Sequence, residues 1–198
     1  WEKKLSEKYN LFLDDNLNLD LTRGKPAKEQ LDLSDFMENL SLKKILSGEN
    51  SDLRNYGGID GISSARKLGG EILGLPENEV IAGDHSSLTL MYLYILHAYY
   101  HGPLGTKTAW KNEGEVKFIA IVPGYDRHFS ICEELGIRMI NVDIQDDGPD
   151  MSIIEDLVRG DSKIKGMWCV PKYSNPTGVI YSDEVVESIK EALDGWLK

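Results

Sequence analysis

Three short segments of this chain carry side chains that could do chemistry, and each comes after an apolar run. The first is Gly83-Asp84-His85-Ser86-Ser87. Two hydroxyls and free backbone N–H groups at the start of a helix form an anion site suited to a phosphate. The same residues also make an N-cap, with Asp84, Ser86 or Ser87 satisfying first-turn donors. Alone, the segment favours the cap, and His85 reads as a loop residue facing solvent. The second is Pro123-Gly124-Tyr125-Asp126-Arg127-His128. Its tyrosine can stack on a planar ligand or act as a hydrophobic staple for the next helix. Asp126, Arg127 and His128 are expected to include a surface ion pair of no catalytic consequence. The third is Pro171-Lys172-Tyr173-Ser174-Asn175-Pro176-Thr177-Gly178. Asn-Pro and Thr-Gly are turn dipeptides, so a plain loop would explain them. The Asn175 amide can also donate and accept at once, which suits holding a phenolic oxygen.

Weaker candidates lie upstream. Arg23 and Lys25 flank Gly24 and could bind a carboxylate, and Tyr56 beside two glycines could reach a ligand from a turn. Alone, each reads as a surface residue. Asp146, Asp147 and Asp150 lack the spacing and distal Glu of a calcium loop and read as a solvated connection. No Cys/His cluster has zinc spacing, so no metal is expected. Neither G-x-G-x-x-G after a strand, nor a Walker A sequence, nor a G-x-S-x-G elbow is present, so nicotinamide, nucleotide and hydrolase chemistry lack their marks. A net charge of −11 over 198 residues argues against a general nucleic-acid backbone binder. The longest apolar stretch, Leu88 to Tyr100, is too short to cross a bilayer. Trp1-Glu2-Lys3-Lys4 opens a polar helix rather than a signal peptide. Cys132 and Cys169 sit in apolar periodic segments and read as reduced core residues of a cytoplasmic protein.

The elements that must position these groups can be read from periodicity. Residues 1–15 read as a charged helical arm with Leu5, Tyr9, Phe12 and Leu13 at helical spacing. Residues 17–21 alternate like a strand, and 35–46 and 62–74 read as helices, the last weakened by Gly69-Gly70. From residue 79 a β/α alternation sets in. Strands are expected at 79–83, 116–122, 138–144 and 165–170. Helices are expected at 86–100, 125–135, 151–158 and from Ser182, with Val185, Ile189, Leu193 and Trp196 as the buried stripe of the last. The 86–100 helix is apolar almost all round and is expected to be buried, and 102–115 reads as a polar loop. This alternation implies an α/β fold with a mainly parallel sheet and flanking helices. Ligands in such sheets bind beyond the carboxyl ends of the strands, where the three segments fall.

In order, the segments say more than they do singly. Asp20-Leu21-Thr22-Arg23-Gly24-Lys25-Pro26, Leu53-Arg54-Asn55-Tyr56-Gly57-Gly58, Ser86-Ser87-Leu88, Val122 to His128 and Trp168 to Gly178 together resemble the fold-type I pyridoxal-phosphate aminotransferases. The likeness is greatest to their aspartate aminotransferase and MocR-type branch, and it runs from about residue 17 to about residue 190. It implies an N-terminal arm and part of a small domain over 1–60, and the N-terminal part of a pyridoxal 5'-phosphate (PLP)-binding large domain over 61–198. It implies that Ser86 and Ser87 hold the cofactor phosphate, Tyr125 stacks on the pyridine ring, and Asn175 bonds its phenolic oxygen. Tyr56 would reach the phosphate of the neighbouring subunit in a homodimer with shared sites, and Gly24 and Asn175 would lie along the substrate.

The implied reaction is transamination between an amino acid and a 2-oxo acid. Two departures stand out. His85 occupies the place of a small amide residue. The family's pyridinium-binding aspartate, Schiff-base lysine and substrate-binding arginine all come after the NPTG helix, so the lysine is expected outside this chain and the chain to be an incomplete, inactive part of the enzyme. Ser162-Lys163 precedes a strand, at the wrong end of the sheet, and Lys172 has no such role in the matched segment. A non-catalytic PLP-binding or dimerisation module, or a lyase or decarboxylase on the same fold, remains as the rival reading.

Overall fold

A computed structural model describes residues 1–15, 24–41, 55–103, 106 and 108–196. The chain divides into two compact units, Trp1–Ala82 and Gly83–Lys198. The first holds helices α1 (Glu2–Asp14), α2 (Lys28–Asp32) and α3 (Ser63–Leu73). The expected apolar positions of α1 are Leu5, Tyr9, Phe12 and Leu13, and all four are exposed. Lys28 and Asp32 pair across one turn of α2 at 2.7 Å. Helix α3 forms despite its two glycines because both sit at close approaches. A Cβ on Gly70 would lie 2.5 Å from the Leu75 carbonyl oxygen, and one on Gly69 would lie 3.0 Å from Val80 Cγ1.

Two expectations for this unit change. Residues 35–46 do not open as an α-helix: Asp35–Asn39 is a 3₁₀ turn and Leu40 is extended. Asp and Asn side chains compete with the helical backbone for its hydrogen bonds, which favours the short turn. The expected strand at 79–83 joins no ladder. Glu77–Glu79 is a 3₁₀ turn, and the segment after it is fastened by the Ala82 N–H donating to the Asp60 carbonyl at 2.9 Å. The strand expected at 17–21 lies outside the described residues.

The second unit is the expected α/β fold. Helix α4 (Ser87–His101) precedes β1 (Lys117–Val122), α5 (Asp126–Glu134), β2 (Arg138–Gln145), β3 (Gly148–Pro149), α6 (Met151–Gly160), β4 (Ile164–Trp168) and α7 (Asp183–Trp196). The described strands make one sheet in the order β3-β2-β1-β4. β1 is parallel to both neighbours, with Ala120 opposite Asn141 and Trp168, while β3 is antiparallel to β2. The apolar run 118–121 is buried throughout, as a central strand covered on both faces must be. Phe118 faces Ile95 and Ala98 of α4, Ile131 and Cys132 of α5, and Trp110. Ile119 and Ile121 face Ile154 of α6.

Helix ends obey the local sequence. Gly136 (φ 66°) closes α5, with the Ile137 N–H donating to the Cys132 carbonyl at 2.8 Å. Ser182 caps α7, its hydroxyl accepting from the Val185 N–H at 3.3 Å. Ile189 of α7 is buried and Val185 half-buried, while the Leu193 and Trp196 side chains lie outside the described ones. Asp150 is more than a solvated connection, since its carboxylate caps α6 by accepting from the Ser152 and Ile153 N–H groups. The stretch expected as a polar loop delivers Trp110 to the core, 6% exposed.

Helix α4 is not buried all round. Ile95 and Ala98 are buried, but Leu90, Leu93, Tyr94 and Tyr100 are exposed. Among the described residues the sheet covers one face of this helix, and an all-apolar circumference does not itself say how many faces are covered. No helix among the described residues is long and apolar enough to cross a membrane.

Two outcomes test this packing. Ile119 has no exposed surface, so Ile119→Ala should lower unfolding free energy by about 2–5 kcal/mol, read as a lower urea midpoint at unchanged slope. The Asp150 carboxyl is held below its ordinary 3.8, chiefly by the Ser152 hydroxyl. A depressed carboxyl stabilises the fold above its unfolded pKa, and that contribution is lost as pH falls through the folded value. Asp150→Asn, which does not titrate, should lower stability at neutral pH and change it least at low pH, so that the acid limb flattens below about pH 4.

Candidate active site

The sheet order places a crevice between β1 and β4. From β1 the chain leaves through α5 to β2 on one side. It then returns through α6 to β4 on the other side of β1. Such a reversal leaves the carboxyl ends of the two adjacent strands uncovered by a connection, which is where open α/β sheets bind ligands. A pocket lies there, lined by Ile121, Tyr125, His128, Trp168, Asn175 and Tyr181 among others. Tyr125 and Asn175, selected separately from sequence, therefore meet in one place.

Gly124 sets the turn that presents Tyr125. A Cβ on Gly124 would strike the Ile121 carbonyl oxygen and lie 2.7 Å from Phe129 Cζ. Tyr125 is then the N-cap of α5, with its backbone carbonyl accepting from the His128 N–H at 3.1 Å. The half-buried Tyr125 ring meets the His128 ring at 89°, centroids 5.2 Å apart.

His128 departs from expectation. It is no partner in a surface ion pair but a buried residue, 7% exposed. Its ring lies flat against Trp168, at 4.8 Å and 16°, and burial pushes its pKa below the ordinary 6.5. Trp168 is tied down by its indole N–H donating to Cys132 Sγ at 3.1 Å. His128 was legible as a core position, because with Ile131, Cys132 and Leu135 it continues the apolar stripe of α5. Trp168 was passed over because tryptophan in a strand reads first as core.

Asn175 sits on the loop after β4. The loop is closed by its own backbone: the Ser174 N–H donates to the Val179 carbonyl and the Tyr181 N–H to the Pro171 carbonyl, both at 2.9 Å. Tyr173 and Gly178 take positive φ, and Ser174 is buried while Asn175 is exposed. Tyr181, missed in the sequence, lies under this loop. It is 5% exposed and its phenol is pushed up to about 12, first by burial. Its oxygen faces the Val170 backbone, yet no partner completes a hydrogen bond.

At the start of α4 the cap reading holds for Ser86, whose hydroxyl accepts from the Thr89 N–H at 3.3 Å. The His85 and Ser86 N–H groups both donate to Asp84 Oδ1, at 2.5 and 3.3 Å, with Asp84 in the left-handed region at φ 53°. The donors an anion would use are thus turned onto a carboxylate of the same loop. The His85 side chain is fully exposed. Ser86 and Ser87 do not line the β1/β4 pocket among the described residues. Gly24 and Tyr56 belong to the other unit. Gly24 has open space around it and Tyr56 is fully exposed, while Arg23 lies outside the described residues. Lys163 pairs with Glu115 at 3.7 Å beside the start of β1, away from the pocket as expected. Among the described residues no group of three or more His, Cys, Asp or Glu could hold a metal.

Comparison with known proteins gives consistent matches. The aspartate amino-transferase family profile matches residues 2–193. An aspartate aminotransferase of Corynebacterium glutamicum is 43% identical over 190 residues, covering 96% of this chain and 44% of the relative. The crystal structure of a candidate aminotransferase from Corynebacterium diphtheriae superposes with a TM-score of 0.85 at 44% identity, over 96% of this chain and 46% of that one. At fold level alone, α-aminoadipate aminotransferase of Thermus thermophilus matches with a TM-score of 0.60 at 18% identity, over 88% of this chain and 40% of that one. That protein was solved in complex with N-(5'-phosphopyridoxyl)-L-leucine. The chain spans less than half the length of the curated relatives it matches.

The turn before Tyr125 has a direct test. Gly124→Ala forces the Ile121 carbonyl or the Phe129 ring to move. It should cost about 1–3 kcal/mol of stability and alter the near-ultraviolet circular dichroism of the aromatic cluster, whereas Gly160→Ala, with open space around it, should leave that spectrum unchanged.

Proposed function

The chain belongs to the aspartate amino-transferase family, and on that premise we propose that its protein transfers an amino group between an amino acid and a 2-oxo acid with pyridoxal 5'-phosphate. The convergence of Tyr125 and Asn175 in the β1/β4 pocket carries this reading. The donor set suits the cofactor: an aromatic ring for its planar face, an amide able to donate to a phenolic oxygen, and apolar walls from Ile121 and Trp168. When bound, the cofactor supplies an electron sink for charge developing at the amino acid's α-carbon.

The residues of this chain orient and tune. Tyr125 packs on the ring and Asn175 fixes its phenolic oxygen. Ser86 and Ser87 offer hydroxyls and the positive end of α4 to the phosphate. The His85 and Ser86 N–H groups, which donate to Asp84, would be the backbone donors for that phosphate.

The finer parts extend the same reading. Residues 1–60 supply an arm and part of a small domain, and 61–198 the first part of the cofactor-binding domain. Tyr56 serves the neighbouring subunit's phosphate in a homodimer, and Gly24 lies along the substrate. Among the described residues no lysine lines the β1/β4 pocket. A cytoplasmic setting goes with its two free thiols.

The test is amino transfer by the intact protein. Incubation with PLP, a panel of amino acids and 2-oxoglutarate should yield glutamate from at least one donor. Tyr125→Ala and Asn175→Ala should each lower kcat/KM by about tenfold or more. PLP retention with no transfer from any donor would leave a binding module in place of the enzyme.

A further inference from the structure

We propose that the buried Tyr181 hydroxyl is a ligand-binding donor, giving its hydrogen bond to an acceptor atom of the ligand held in the β1/β4 pocket, from beneath the loop that carries Asn175. The inference rests on the proposed cofactor for the identity of that ligand. Tyr181 lines the pocket together with Ser174, Asn175, Cys169 and Val170. It is 5% exposed, and its hydroxyl oxygen, closed off from solvent, has no hydrogen-bond partner among the described residues. A ring that only filled space here would serve better as phenylalanine, because a buried hydroxyl without a partner carries its full desolvation penalty. The oxygen is accounted for by a partner that arrives with the ligand.

The hydroxyl can serve because its place is fixed from both sides. The Tyr181 N–H donates to the Pro171 carbonyl after β4, and the Ser182 N–H donates to the Asp147 carbonyl beside β3, both at 2.9 Å. The ring is seated on Gly148, where a Cβ would lie 3.2 Å from Tyr181 Cγ. Its oxygen faces the Val170 backbone and stands near the Cys169 thiol, which is only a weak acceptor. Burial keeps the phenol protonated, with its pKa pushed up to about 12, so it remains a donor at any working pH. The one comparable atom among the described residues is Arg66 Nε, and that guanidinium is already paired with Glu77 at 3.3 Å. Tyr181 has a single polar atom on its side chain and no such second contact.

The property to test is the oxygen, and Tyr181→Phe removes it while keeping the ring. The probe is pyridoxamine 5'-phosphate, whose amine forms no covalent link to a lysine, titrated calorimetrically into the intact protein stripped of cofactor. The variant should bind it about five- to tenfold more weakly. Without the probe, the variant should unfold at the same temperature as the unsubstituted protein or higher, because an unpaired buried hydroxyl has been taken away. The two readouts pull in opposite directions, which a residue that only packs the core would not produce. A variant that binds the probe as tightly as the unsubstituted protein overturns the proposal. So does a lowered unfolding temperature of the ligand-free variant, since the hydroxyl would then already have a partner within the protein. An unsubstituted protein that binds no probe sinks the cofactor reading and this proposal together, whereas a tight-binding variant sinks only the role of the hydroxyl.

Discussion

Strand β1 is paired along both edges and covered on both faces. A strand in that position has no room for a solvated side chain between its ends. Phe118 through Ile121 are accordingly apolar and buried. Functional groups must then stand where the strand stops, and they inherit their precision from how firmly it is held. Ion pairs hold its first residue: Lys117 reaches Asp161 at 2.7 Å and Glu115 at 3.4 Å. Gly124 turns the chain sharply at the other end. Pocket geometry is thus a consequence of core packing, with the polar groups added at the rim.

Much of this was readable from residue patterns, for identifiable reasons. The run 116–122 has too few polar residues for a half-exposed strand, which implied its central place. The Tyr125 and Asn175 segments each follow a strand, so the carboxyl-end rule put both at the same edge of the sheet, while the strand order that makes them neighbours came only with the structure. Other features were hidden because periodicity reports the polarity of a face and not what lies against it. The apolar circumference of α4 has a sheet on one side and open apolar residues on the other. His128 was grouped with the charged Asp126 and Arg127 beside it in sequence, although helical spacing sets it with Ile131 and Cys132. The segment 79–83 has strand-like composition but no neighbour to pair with among the described residues.

The α4 loop shows a different limit. Its residue types suit both a helix cap and an anion cradle, and the structure shows the cap. Ser86 caps through its side chain, while the backbone N–H groups before it close on Asp84. A carboxylate held by two N–H groups is an internal substitute for an external anion. The exposed His85 imidazole lies with Nδ1 3.1 Å from the same Asp84 Oδ1.

Trp168 has a consequence beyond packing. One of four tryptophans in the chain, it touches a thiol and an imidazole at once. A thiol in contact with an indole quenches its emission, so Trp168 should be dimmer in the folded protein than in the unfolded one. Its light should return when the pocket wall loosens. The wall of the pocket thereby contains its own optical gauge, placed against the ring that backs Tyr125.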